Sequence, residues 1–163
     1  MLHKCQISHL KVLLKIDKPI KINGLTISQE EEIAPRFLLE LAIDNLSQDP
    51  VNSFWWSPRL IVVDREIVGM ISFKSPPKLN RSVEIGYGII PSKQRQGFAT
   101  EAVRLILQEA FSSDRRSNSI AHTNLLNKAS QRVLAKNGFV LRGSKLDPQE
   151  GEISIWQKKI AIT

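Results

Sequence analysis

Residues Glu84 to Glu101 constrain this chain more than any other segment. They read Glu-Ile-Gly-Tyr-Gly-Ile-Ile-Pro-Ser-Lys-Gln-Arg-Gln-Gly-Phe-Ala-Thr-Glu. An apolar, alternating run ends at Pro91, which can donate no ladder hydrogen bond, so a strand over 82–90 must stop there. A polar loop with Lys93 and Arg95 follows, then Gly97. Ala99, Val103, Ile106, Leu107, Ala110 and Phe111 then fall on one face at helical spacing, which predicts a helix over 98–111. The first amides of a helix have no partner inside it and sit at its positive end. Strand, basic loop, glycine and helix start therefore form an anion site suited to phosphate. Two other phosphate loops are excluded: the chain has no G-x-x-x-x-G-K-[ST] and no G-x-G-x-x-G after a strand.

The remaining pattern surrounds this unit with strands and helices. Residues 9–16 fit a first strand or a short helix. Asn23-Gly24 marks a tight turn. Ser28 and Glu31 match a capping box, and Ile33, Phe37, Leu38 and Leu41 recur at helical spacing, which predicts a helix over about 29–46. Residues 59–63 and 67–73 predict a hairpin around Asp64-Arg65-Glu66. A short strand at 119–122 and a helix over 127–136 come next, the helix closed by Asn137-Gly138-Phe139. Strands at 139–144 and 152–160 end the chain. The fold class is α/β (α+β), a central mixed sheet with helices on its faces.

With 163 residues and no linker or repeat, one domain over 1–163 is expected. Hydrophobic residues at 42% and charged residues at 24% exclude a disordered chain. No run approaches the ~18 apolar residues of a membrane helix. The single cysteine, Cys5, excludes an intrachain disulfide and a cysteine-rich zinc site, and no metal is expected. Without a readable signal peptide, a cytoplasmic location is expected. The net charge of +7 and pI near 9.8 favour anionic partners. The cations are scattered, and no aromatic-interleaved basic stripe appears. Nucleic acid is thus expected only as part of a ribosome or an RNA-bound substrate.

Gln94-x-x-Gly97-x-Ala99 resembles the acetyl-CoA signature R/Q-x-x-G-x-G/A of the GNAT superfamily of N-acetyltransferases. Asn127, Ser130, Val133, Lys136, Gly138 and Phe139 fall on that family's pattern N-x-x-[AS]-x-x-[LV]-x-x-K-x-G-[FY]. Glu84-Ile85-Gly86-Tyr87-Gly88 and Ala99-Thr100-Glu101-Ala102 resemble the branch of ribosomal-protein and small-molecule acetyltransferases. The resemblance covers about residues 55–144. It implies a mostly antiparallel sheet, splayed between the strand ending near Ile90 and the one starting near Ser119. It implies acetyl-CoA as co-substrate, with its pyrophosphate on the amides of Gln94, Arg95, Gln96, Gly97, Phe98, Ala99 and Thr100. It also implies pantetheine along Ile89 and Ile90, where an amide faces the thioester oxygen, and a cofactor role for Asn127 and Ser130.

The acceptor is then an amine, which is almost all ammonium at neutral pH and must lose a proton to attack. Glu84 is the candidate general base, because alternation sets it on the face of Gly86 and Gly88, whose missing side chains leave room for substrate. Many family members carry a tyrosine seven residues after the helix-start asparagine as general acid; here Leu134 stands there. Ser130, a water, or unassisted departure of the thiolate are the alternatives. Asn127 also suits a helix N-cap. His122 and Cys5 read as structural or incidental, and Phe54-Trp55-Trp56 either walls the acceptor pocket or packs. A CoA-binding protein without catalysis and a basic RNA- or ribosome-associated module are the rival functions. The sequence leaves monomer and homodimer both open.

Overall fold

The computed structural model describes residues 1–112, 118–124 and 126–159, with 118–124 described by backbone alone. The order is β1 (Leu2–Lys4), α1 (Ile7–Leu13), β2 (Lys21–Ile22), β3 (Leu25–Thr26), α2 (Arg36–Gln48), α3 (Ser53–Trp56), β4 (Arg59–Val63), β5 (Glu66–Phe73), β6 (Ser82–Ile89), α4 (Phe98–Phe111), β7 (Asn118–Asn124), α5 (Lys128–Lys136), β8 (Val140–Asp147) and β9 (Gly151–Lys158). The main sheet runs β1-β4-β5-β6-β7-β9-β8, with β3 joining β5 and β2 joining β3. The β6–β7 and β3–β5 pairs are parallel and the others antiparallel. This is the mixed, mostly antiparallel sheet expected.

Helices cover both faces. α1 and α2 bury Leu10, Leu39 and Leu46 against Leu60, Ile67 and Met70. On the other face α4 and α5 bury Val103, Ile106 and Leu134 against Ile71, Val83 and Ile85. The hairpin of β4 and β5 turns on Asp64 and Arg65, both at positive φ, which suits the twist of a two-residue turn. α5 ends as expected. Gly138, at φ +81°, donates its amide to Ala135 O at 3.1 Å, and Phe139 donates to Leu134 O at 3.0 Å, the paired bonds of a Schellman cap.

One open alternative is decided and one expectation needs correction. Of the strand and the short helix open at residues 9–16, the helix forms, as α1 over Ile7–Leu13: Leu10 and Leu13 are buried one turn apart, and the Gln6 amide donates to His9 Nδ1 at 3.0 Å. The strand before it, β1, pairs antiparallel with β4. The helix expected from 29 begins only at Arg36. Glu31 N does donate to Ser28 Oγ at 3.0 Å, but this bond closes a turn. Pro35 removes an amide donor and disfavours helical backbone at Ala34, so the helix starts after it. The buried face also differs from the one expected: Leu39, Ala42 and Leu46 are buried, whereas Phe37, Leu38 and Leu41 are exposed.

Candidate active site

β6 is the hinge of the site. It pairs with β5 to its C-terminal end, from Phe73↔Ile85 to Gly69↔Ile89. Its pairing with β7 runs only from Ser82↔Asn118 to Ile85↔Ala121. Beyond Ile85 the two parallel strands part, and β6 keeps one open edge. In an antiparallel ladder, amides alternate between the two edges. Lys74 N donates to Glu84 O at 2.8 Å and Ile90 N donates to Val68 O at 2.9 Å, so the even-numbered residues face β5. The amides of Tyr87 and Ile89 therefore face the open edge. Of the two amides expected to meet a thioester, Ile89's lies on that edge, while Ile90's is held in the ladder and its side chain is buried in the core.

The loop after β6 folds tightly. A 3-10 turn spans Pro91–Lys93, and Lys93 N donates to Ile90 O at 2.9 Å. Gln94 Nε2 reaches back to Ile89 O at 3.0 Å, and Gln94 N donates to Pro91 O at 3.4 Å. Glu31 fixes the loop from outside: Ser92 donates its amide at 2.8 Å and its hydroxyl at 2.5 Å to the two carboxylate oxygens. These bonds hold the Glu31 carboxyl below its ordinary pKa. Lys93 pairs with Glu66 at 2.9 Å, so much of its charge is answered within the protein. Arg95 is exposed and adopts φ +65°. Gly97, at φ +82°, is the N-cap of α4 and makes no side-chain cap bond; a Cβ there would meet nothing within 4 Å. The amides of Phe98, Ala99 and Thr100 open the helix and have no partner within it. Edge amides of β6, a bare glycine and the start of α4 fit an extended, phosphate-bearing co-substrate.

A cleft of about 550 Å³ passes through the parting of the strands. Tyr87, Asn127 and Ser130 line one side, and Gly86, Gly88, Met70 and the inner face of α2 line the other. Asn127 Oδ1 accepts from Ser130 N at 3.0 Å, so it caps α5 while it faces the cleft. Tyr87 Oη lies 2.8 Å from Ser130 Oγ, bridging β6 to α5 across the gap. Burial pushes the Tyr87 phenol above its ordinary pKa, against the opposing bond to Ser130, so it stays protonated at neutral pH. Leu134 is fully buried in the core between α4 and α5 and offers nothing to the cleft.

Glu84 lies on the face of Gly86 and Gly88, as alternation requires. Its carboxylate pairs with the opposite residue, Lys74, at 2.8 Å, and its side chain is 18% exposed. Lys74 lines the cleft, and its side chain is 52% exposed. Sequence reasoning missed Glu150, a cleft-lining carboxylate from the β8–β9 turn; its signal was only a polar turn between two strands. The aromatic segment divides. Trp56 lines the cleft and donates Nε1 to Asp49 Oδ2 at 2.9 Å. Phe54 and Trp55 pack edge to face, and Trp55 meets Phe73. Arg59, also missed, anchors them: fully buried, it pairs with Glu109 at 2.9 Å, donates to Phe54 O at 2.7 Å and stacks its guanidinium on the Phe54 and Phe73 rings. Cys5 is structural: burial pushes its thiol up to about 12, against the lowering charge of Arg59. The side chain of His122 lies outside the described residues. Among the described residues no group of three metal-ligating side chains occurs, and no helix is long and apolar enough to cross a membrane.

The chain resembles known acetyltransferases in sequence and in fold. An uncharacterized N-acetyltransferase of Bacillus subtilis, YoaA, is 38% identical over 79 residues, 48% of this chain and 45% of that one. The ribosomal-protein-serine acetyltransferase of Escherichia coli is 31% identical over 84 residues, 52% and 47% of the two chains. These matches thus span about half the length of the curated relatives. Among solved structures, RimL, a ribosomal L7/L12 alpha-N-protein acetyltransferase in complex with coenzyme A, superposes with a TM-score of 0.71 at 21% identity, covering 98% of this chain and 93% of that one. The microcin C7 self-immunity acetyltransferase MccE, in complex with acetyl-CoA and AMP, gives 0.69 at 19% identity, covering 98% and 91%. At such identities the likeness is one of fold. A family model described as an acetyltransferase (GNAT) domain matches residues 28–140, and this chain belongs to that family.

Proposed function

We propose that this protein is an acetyl-CoA-dependent N-acetyltransferase that acetylates a primary amine by direct attack in a ternary complex. The observation that carries the reading is the parting of β6 from β7 after Ile85, beside the bare N-terminus of α4. Acetyl-CoA, when bound, supplies an activated thioester and a thiolate leaving group. The amides of Gly97 to Thr100 hold its pyrophosphate, with Arg95 adding charge and Gln94 bracing the loop. The open edge of β6 takes the pantetheine, and the Ile89 amide donates to the thioester oxygen as negative charge grows on it. Glu84 takes the proton that the amine must lose, relayed by water, while Lys74 swings away on its flexible stem. Ser130 Oγ gives a proton to the departing sulfur and is backed by the Tyr87 phenol. This hydroxyl pair favours catalysis over CoA binding alone.

Glu150 carries a second reading of the base, because it lines the cleft. Rate–pH profiles of Glu84→Gln and Glu150→Gln with one working amine separate the two. The account expects Glu84→Gln to fold and bind CoA, yet transfer about 10²-fold more slowly at neutral pH. That deficit should shrink as the pH nears the amine's own pKa of about 10. Parallel profiles within about threefold of the parent remove Glu84 from the mechanism. The same loss in Glu150→Gln instead assigns the base to Glu150.

A further inference from the structure

We propose that the acceptor side of the cleft is built for a single amine carried on an apolar body, and selects against polyamines. This inference rests on the acetyltransferase reading above and adds the class of acceptor. It is carried by the wall that α2 presents. Leu38 and Leu41 line the cleft and are 39% and 51% exposed, turned away from the core that holds Leu39, Ala42 and Leu46. Phe37, 66% exposed, extends the apolar surface outward from them. Met70 and Trp56 line the same side, and the floor is bare at Gly88, where an added Cβ meets nothing within 4 Å. An apolar acceptor would withdraw these side chains from water, which is favourable in proportion to the area covered.

Charge points the same way. Among the described lining residues the charged groups are Lys74 and Glu150. A polyamine brings several ammonium groups, and each buried cation needs an acidic or polar partner. Glu150, and Glu84 beside Lys74, are the carboxylates at hand for the ammonium that reacts. The other ammonium groups would meet Lys74, an apolar wall and neutral polar groups such as Asn45 and Ser72, on a chain of net charge +7.

The test follows thiol release from acetyl-CoA with three amines: phenethylamine, a tripeptide with an N-terminal phenylalanine, and spermidine. Calorimetry with CoA runs in parallel. The proposal expects kcat/KM for at least one aromatic amine to exceed that for spermidine by about tenfold or more. The tripeptide arm tells a peptide terminus from a free small amine. Leu41→Glu, a change at an exposed position, should lower the aromatic amine's kcat/KM by about tenfold and raise spermidine's. Spermidine equal to or better than both aromatic amines overturns the proposal. So does failure of both aromatic amines in a protein that binds CoA, which leaves the cofactor site standing. Failure to bind CoA overturns the proposed function itself, and this inference with it.

Discussion

Asn127 stands where a helix cap meets the cleft wall. Its Oδ1 caps α5 through the Ser130 amide, and the same side chain borders the cleft. A cap alone is a stability device that aspartate or serine replaces well, whereas alanine costs about 1 kcal/mol. The account therefore expects Asn127→Asp and Asn127→Ser to keep the parental denaturant midpoint and lose turnover; Asn127→Ala should lose both. Chemical denaturation and steady-state rates on the same preparations check this. Unchanged turnover in the aspartate and serine variants would leave Asn127 a cap only. Its place was legible because capping selects few residue types at a helix start, asparagine among them. Arg59 and Glu150 were not. Whether a lone arginine is buried, or a turn glutamate overhangs a cleft, depends on elements distant in sequence.

At the scale of elements, the site depends on β6 lying flush on β5 up to Ile89 while its other edge stays open. Gly69 makes this contact possible. A Cβ there would sit 2.2 Å from Gly88 O and 3.0 Å from Ile89 Cδ1. Gly69→Ala must push the end of β6 away from β5, at a cost of about 1–3 kcal/mol for an overpacked core position. It should weaken CoA binding as well, because the displaced residues include the edge amide of Ile89. Thermal melts and CoA titration of this variant test the point, and parental values in both would show that β6 has slack here. Element boundaries were legible where local chemistry sets them: α4 was expected and found over 98–111, and the Gly138 cap ends α5. They failed where local signals conflicted. Ser28 and Glu31 formed their predicted bond, but Pro35 decided where α2 begins. Of the apolar stripe expected to be core, Leu38 and Leu41 line the cleft and Phe37 is exposed.

Across the whole molecule, the main run of a mostly antiparallel sheet, β1-β4-β5-β6-β7-β9-β8, is broken by the parallel β6–β7 junction, and the candidate cleft lies there. Two parallel strands joined through α4 need not stay paired along their length, since no hairpin ties their ends. The fold class could be read from alternation and helical spacing; the point at which β6 and β7 part could not, because it depends on which of two strands the last β6 residues follow. The central claim is that this parting and the N-terminus of α4 together hold acetyl-CoA. Calorimetric titration of CoA into the parent and Gly97→Val tests it most directly. A valine at φ +82° strains the backbone and puts a branched side chain where the loop must meet the pyrophosphate. The account predicts one CoA per chain for the parent and at least about tenfold weaker binding for Gly97→Val, with a folded far-UV spectrum in both. Equal CoA affinity in the two proteins, or none in the parent, would contradict it.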